Sequence, residues 1–122
     1  MKSKSWDQDF VNSLHEYGFA ALTDHPIDMI QVRKIYRDWR HFFNHPEKEN
    51  FAVNQETQDG FFSWDNAESS KCEQVQDHKE YFHFYPWGQC PAFLKEELLI
   101  YYASAQAFAN VLLQKVEEFA PD

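Results

Sequence analysis

The segment DHKEYFHFYPWGQCP, residues 77–91, concentrates side chains that could bind a metal ion. It contains two histidines, one cysteine and two acidic residues, and Glu73 lies just upstream. Imidazole, thiolate and carboxylate groups are the usual protein ligands of transition metals. Whether they form a site depends on the elements that carry them, because ligands distant in sequence bind one ion only if the fold brings them together.

The same segment also has the pattern of a strand. In KEYFHFY (79–85), two tyrosines and one histidine alternate with two phenylalanines, which is the period of a β-strand. Rings at that spacing usually pack in a core, so we favour packing over metal binding here. The alternative is a small enzyme or metal binder that uses His45, His78 and His83 with nearby acids.

Two helices and a short strand are predicted in the first half of the chain. SWDQ fits a capping box with Ser5 at the N-cap and Gln8 three residues on, and Gly18 is placed to end this helix. The apolar run FAAL (19–22) has the length of a strand. A second helix begins at Asp28 and continues to the paired phenylalanines before Asn44-His45-Pro46.

The second half is predicted to contain a short strand in GFFSW (60–64), the strand of 79–85, and a long helix from Ala92 to about Phe119. That helix has one apolar stripe through Leu94, Leu98, Tyr101, Ala105, Phe108, Leu112 and Phe119. A second stripe lies beside it: Leu99, Tyr102, Ala109, Leu113 and Val116. Two stripes are more apolar surface than a helix with one solvated side needs.

Composition narrows the class of protein. The chain has 122 residues and a net charge of −9, which opposes binding to nucleic acid. It has no apolar run long enough to span a membrane, and its opening residues do not resemble a secretory signal, so we expect a cytoplasmic protein. With no repeat or linker visible, we expect one α+β domain over residues 1–122, dominated by helices with a few short strands.

Four segments in order resemble the N-terminal region of the isopenicillin N synthase-like non-haem Fe(II)/2-oxoglutarate-dependent dioxygenases. They are FVNSLHEYGFAALTDHPID, VRKIYRDWRHFFNHPEKE, GFFSWDNAE and QDHKEYFHFYPWGQCP. The positions that match the motifs of the family are Gly18, Phe19, His25, Phe42, Phe43, Pro46, Gly60, Asp77, Lys79 and Glu80. The resemblance implies the N-terminal part of a jelly-roll (double-stranded β-helix) oxygenase without the barrel itself.

The sequence lacks the iron-binding and cosubstrate-binding motifs of that family. The His-x-Asp/Glu pattern occurs only at His45-Pro46-Glu47, where proline breaks a strand, and at His78-Lys79-Glu80, which has no distant histidine after it. None of the arginines, Arg33, Arg37 and Arg40, begins the Arg-x-Ser motif that pairs with the cosubstrate. We therefore predict no catalytic, metal or cofactor-binding residue in this chain, and expect it to be inactive alone. Fe(II) and 2-oxoglutarate are implied only for a full-length parent.

The resemblance implies a supporting role for the chain. It would brace the catalytic barrel, its partner in the parent oxygenase, and shape the rim of the substrate pocket with Phe61, Ser63 and Trp64. The alternative is a free-standing protein-interaction module that buries the second stripe of the last helix in a homodimer. No nucleic acid and no membrane is expected as a partner.

Overall fold

A computed structural model describes residues 5–64 and 79–122. It contains helices α1 (Trp6–Tyr17) and α2 (Met29–Phe43), a 3₁₀ helix (Pro46–Phe51), strands β1 (Gly60–Phe62) and β2 (Tyr81–His83), and the long helix α3 (Ala92–Phe119). The strands pair antiparallel, with Phe61 opposite Phe82. The helix-dominated α+β class predicted from the sequence is confirmed, and the described residues form no closed barrel.

The helix ends follow from local hydrogen bonds. Gly18 takes a φ of +80°, which suits glycine, and its N–H donates to Leu14 O at 2.9 Å, so α1 ends where predicted. Asp28 Oδ1 accepts from the N–H groups of Ile30 and Gln31, at 2.9 and 3.3 Å, and begins α2. Pro91 precedes the first turn of α3, whose bounds agree with the prediction.

Two local predictions were wrong. The Ser5 side chain makes no capping hydrogen bond; its hydroxyl lies 3.4 Å from Asp9 Oδ2, and Asp7 Oδ1 accepts the Gln8 N–H. The FAAL run (19–22) is not a strand, because no described segment pairs with it, and a strand needs a partner for its backbone groups. Phe19 is exposed there, while its carbonyl accepts from Ser13 Oγ at 2.9 Å.

The chain divides into two compact units. The central unit is Arg33–Leu99, and the terminal unit combines Met1–Val32 with Ile100–Asp122. In the central unit the largest fully buried side chains are Phe42, Phe61 and Leu94. In the terminal unit, Val11 is buried, and Lys115 lies 3.5 Å from Asp7. A single domain over 1–122 stays a prediction.

Candidate functional site

A cluster of aromatic rings forms the core of the central unit. Phe42 of α2 makes edge-to-face contacts with Phe51, Phe61 and Phe82, with ring centroids 5.9, 6.2 and 5.6 Å apart. These rings come from the 3₁₀ helix, β1 and β2, so one side chain joins four elements. Edge-to-face pairs add to the stabilisation from burial because the ring edge is positive and the face negative.

Beside this core, an ion pair joins two of the segments that carry the family resemblance. Lys48 Nζ lies 3.0 and 2.8 Å from the two oxygens of Glu80, and it also donates to the carbonyl of Phe43 at 3.1 Å. The ammonium is 5.4 Å from the centre of the Phe61 ring. Lys48 therefore donates a hydrogen bond to a carbonyl at the C-terminal end of α2 and holds the residue before β2 next to it. Pro46, two residues before Lys48, opens the 3₁₀ helix.

A second polar contact fixes the start of β1. Asp59 is buried, and its carboxylate accepts a short hydrogen bond from Thr57 Oγ1 and one of 2.7 Å from the N–H of Gln89. These donors lower the pKa of Asp59, the Thr57 hydroxyl most, because they stabilise the charged carboxylate. The Gln89 side chain donates to the carbonyls of Ala52 and Asp59, each at 2.9 Å. Sequence reasoning missed this contact, since Asp59 and Gln89 stand 30 positions apart.

Gly60 is required by the same contact. Its φ is +118°, and a Cβ added there would lie 2.2 Å from Gln89 Nε2 and 2.6 Å from the carbonyl oxygen of Phe51. Any other residue would be strained in its backbone and would displace the amide that crosses it. The glycine that matches the family motif is therefore explained by packing within the central unit.

The segment that suggested a metal site packs largely as rings. Phe62 stacks on Tyr81 with centroids 4.6 Å apart, and lies 4.5 Å from the imidazole of His83. His83 is exposed, and its Nδ1 is 3.2 Å from the carbonyl oxygen of Gln58. The Lys79 ammonium lies 5.6 Å from the centre of the Tyr81 ring. Asp77 and His78 are outside the described residues.

Three further histidines, His25, His41 and His45, make local contacts. His25 Nδ1 accepts from the N–H of Ile27 at 3.3 Å, and His45 Nδ1 accepts from the N–H of Glu47 at 3.2 Å, capping the 3₁₀ helix. His41 contacts the ring of Phe93, with centroids 5.9 Å apart. A histidine ring nitrogen that accepts a backbone N–H is not available to a metal ion.

No iron site is formed by residues 5–64 and 79–122. Over these residues, no group of three or more His, Cys, Asp and Glu side chains could hold a metal ion. Cys90 is half-buried, and desolvation raises the pKa of its thiol to about 11, so it is a poor thiolate ligand. The described residues thus do not fit the two-histidine, one-carboxylate set of a non-haem iron centre.

The three residues predicted for a pocket rim occupy different environments. Phe61 is 1% exposed and belongs to the aromatic core, whereas Ser63 is half-buried and Trp64 is 47% exposed. Ser63 and Trp64 are therefore the better placed of the three to meet a ligand. Their assignment to a rim stays a prediction.

The part of α3 in the terminal unit carries exposed apolar side chains. On the second stripe, Tyr102 is 43% and Leu113 is 64% exposed. Ile100 and Val111, which were not assigned to a stripe, are exposed as well. The buried residues of α3 are Leu94 and Leu98, which lie in the central unit. Over the described residues, no helix is both long and apolar enough to cross a membrane.

Comparison with known proteins agrees with this fold. Residues 3–98 match the family described as "non-haem dioxygenase in morphine synthesis N-terminal". The chain is also similar to the crystal structure of a "Putative oxygenase" from Shewanella oneidensis, with 42% sequence identity and a TM-score of 0.86. That similarity covers 99% of this chain and 42% of the Shewanella chain. No curated protein matches.

These findings confirm the resemblance predicted from the four sequence segments, and with it a fold that matches an N-terminal fragment of an oxygenase. The family match includes both partners of the Lys48–Glu80 ion pair, and the buried Asp59 with its partner Gln89. The chain belongs to the family of non-haem dioxygenase N-terminal domains.

Proposed function

We propose that this chain is the non-catalytic N-terminal domain of an Fe(II)/2-oxoglutarate-dependent dioxygenase. The catalytic barrel of that parent would supply the metal ligands and the cosubstrate site. This chain would brace the barrel and contribute Ser63 and Trp64 to the rim of the substrate pocket. Family membership and the 42% coverage of the Shewanella protein support a domain that works as part of a longer polypeptide.

The observation that carries the bracing role is the apolar surface of α3 in the terminal unit. Burying a leucine-sized side chain is worth about 1.5–3 kcal/mol, so leaving Tyr102 and Leu113 in water forfeits a large part of the stability of a small domain. A neighbouring apolar surface would recover that free energy. In the proposed parent, the barrel provides it.

The proposal that this chain alone binds neither the metal nor the cosubstrate can be tested by titration. We expect anaerobic calorimetry of the 122-residue chain to detect neither Fe(II) nor 2-oxoglutarate binding at micromolar concentrations. The parent enzyme, prepared in the same buffer, should bind both. Micromolar iron binding by this chain, lost in a His78→Ala/His83→Ala double variant, would overturn the proposal.

The bracing role needs a separate experiment, in the parent enzyme. There, Leu113→Glu should lower the melting temperature and the rate of 2-oxoglutarate consumption together, because it places a charge against the barrel. Glu117→Gln, on an exposed position of the same helix, is the control and should change neither. An unchanged melting temperature in Leu113→Glu would contradict bracing through α3.

A second candidate function uses the same surface. A free-standing interaction module would bury the stripe that contains Leu113 in a homodimer, and an isologous dimer needs only one such patch. Sedimentation equilibrium of the chain distinguishes the two. A dimer abolished by Leu113→Glu favours the module, whereas a monomer that associates with a separately expressed barrel favours the brace. A cytoplasmic location stays a prediction for either.

A further inference from the structure

All the arginines of this protein lie on one face of one helix. The chain contains three, Arg33, Arg37 and Arg40, and their spacing of i, i+4 and i+7 brings them to one side of α2. Tyr36 lies between them and is 74% exposed. We call these four residues the arginine face. The whole face belongs to the central unit.

These arginines lack acidic partners within residues 5–64 and 79–122. Each of the three residues is exposed, and none makes an ion pair or side-chain hydrogen bond there. Three of the five lysines in the same part of the chain behave differently. Lys34, Lys48 and Lys115 each contact at least one carboxylate. In a protein with 20 acidic residues and a net charge of −9, three neighbouring unpaired arginines are a local reversal of charge.

An aromatic groove adjoins the arginine face. It has a volume of about 440 Å³ and is lined by Tyr36 and Arg40 together with four rings, Trp39, Phe43, Tyr81 and Phe82. Glu80 also borders it, but both of its oxygens accept from Lys48. Among the described residues, the groove therefore offers apolar walls and one cation without an acidic partner, Arg40, and the single carboxylate on its border is already paired with Lys48. A volume of this order is enough for one large side chain.

This chemistry suits an acidic peptide that carries an apolar residue. Carboxylates accept hydrogen bonds from guanidinium groups in a bidentate geometry, which makes Arg a stronger partner than Lys. Arg33 and Arg37 are separated by a helical rise of about 6 Å, and alternate residues of an extended peptide are about 7 Å apart on one side. Acidic residues at every second position would thus meet successive arginines, while the apolar side chain enters the groove beside Arg40.

We propose that the arginine face and the aromatic groove together bind an acidic segment of a partner protein. The overall charge of −9 opposes long polyanions such as nucleic acid, whose charge extends beyond the face. A short acidic segment interacts mainly within the screening length of about 8 Å at physiological salt, where the three arginines dominate. The inference does not depend on the dioxygenase proposal, because neither α3 nor an iron site takes part.

The test is a calorimetric titration of the chain with a synthetic probe, acetyl-Trp-Ser-Glu-Ser-Glu-Ser-Glu-amide. The same peptide with Gln in place of Glu is the first control, and the same peptide with Ala in place of Trp is the second. We expect the acidic Trp peptide to bind more tightly than either. Its affinity should fall as NaCl is raised from low to high concentration, since the contacts are with exposed charges.

Matched variants locate the site. Arg40→Gln should weaken binding about threefold, and the triple Arg33→Gln/Arg37→Gln/Arg40→Gln variant about tenfold, as expected for exposed charge pairs. Lys95→Gln removes one exposed positive charge from the same unit, outside the face, and should leave the affinity unchanged. All four positions are exposed, so the variants are expected to fold, which circular dichroism can verify.

Several outcomes would overturn the proposal. Equal binding of the Glu and Gln peptides would show that charge is not recognised, and equal losses in Arg40→Gln and Lys95→Gln would place the site elsewhere. Tighter binding of oligothymidine than of the peptide would indicate a nucleic-acid surface. Self-association at low salt that disappears in the triple variant would make a second copy of this chain the occupant.

Discussion

The two units of this protein differ in how completely they bury their own apolar residues. Of the seven buried hydrophobic side chains in the described part of the chain, six lie in the central unit and only Val11 lies in the terminal unit. Helix α3 shows the contrast within one element: Leu94 and Leu98 are buried, whereas Leu113 is 64% exposed. Family membership alone does not predict this division. In the described residues, the buried core therefore lies mainly in the central unit, and large apolar side chains of the terminal unit such as Leu113 stay exposed.

The largest expected effect comes from a substitution in the aromatic core of the central unit. Phe42→Ala removes the ring that contacts three other elements and should cost about 3–5 kcal/mol of unfolding free energy, through lost burial and the cavity that remains. Urea denaturation measures it. Tyr36→Ala, on the exposed side of the same helix, is the control and should cost less than about 1 kcal/mol. Similar costs for both variants would mean that the central unit has no distinct core.

Each unit contains one glycine with a positive φ, Gly60 in the central unit and Gly18 in the terminal unit. Substituting each of them compares how tightly the two units are packed. Gly60→Ala strains the backbone and also places a methyl group against Gln89 and the Phe51 carbonyl, so we expect a loss of about 2–4 kcal/mol. Gly18→Ala meets no atom within 4 Å and should cost only the strain, about 1 kcal/mol. Urea denaturation of the two variants would disagree with the structure if Gly18→Ala were the more damaging.

An intermediate effect is expected at the ion pair of the central unit. Lys48→Met keeps most of the apolar stem but leaves Glu80 and the Phe43 carbonyl without their donor, which should cost about 1–3 kcal/mol. Lys95→Met, at an exposed position of α3, is the control and should change stability by less than about 0.5 kcal/mol. If thermal unfolding shows equal midpoints for the two variants, the ion pair contributes nothing to the stability of the central unit.

The Asp59 contact predicts a pH dependence. Its pKa is lowered in the folded state, so the folded protein holds this proton less tightly than the unfolded chain does, whose aspartates titrate near pH 4. The stabilisation is therefore complete above about pH 4 to 5 and is lost as the pH falls through the lower, folded pKa. Asp59→Asn should be less stable than the wild type at pH 7, and the difference should shrink on acidification. Parallel stability curves from pH 7 to pH 3 would be inconsistent with this contact.

The smallest effect on folding is expected in the terminal unit. Leu113→Ser replaces an exposed side chain and should change the unfolding free energy of the chain by less than about 0.5 kcal/mol. Its consequence should appear only in association with a covering surface. A loss above about 2 kcal/mol in the isolated chain would mean that Leu113 is buried within it, and the contrast between the two units would fail.

Local features of this fold could be predicted from the sequence because they depend on residues close together in the chain. Gly18 and Pro91 mark helix ends through their backbone preferences, Asp28 marks one through its capping carboxylate, and the bounds of α3 followed from its periodicity. The strand predicted at FAAL failed for the opposite reason. Apolar residues indicate burial, but a strand also needs a partner, and the partner is not a local property.

The candidate site was harder to predict, because it depends on contacts between residues that are distant in the chain. Glu80 matches a family motif and Lys48 lies in a segment that carries the resemblance, yet nothing in the sequence says that the two form a pair 32 positions apart. Asp59 was not singled out, because one aspartate before a glycine is typical of any turn. Its importance comes from the N–H of Gln89, which the chain brings back from the other side of β2. Burial and contacts between distant segments had to come from the structure.

The half-buried thiol of Cys90 offers a way to measure local opening of the segment that leads into α3. With a pKa of about 11, only about one molecule in a thousand carries the reactive thiolate at pH 8, so alkylation by iodoacetamide should be slow in the closed protein. Local opening would return the thiol to water and to an ordinary pKa. In a Cys72→Ser background, the alkylation rate of Cys90 therefore reports how often the segment between Gln89 and the first turn of α3 detaches, without an added probe.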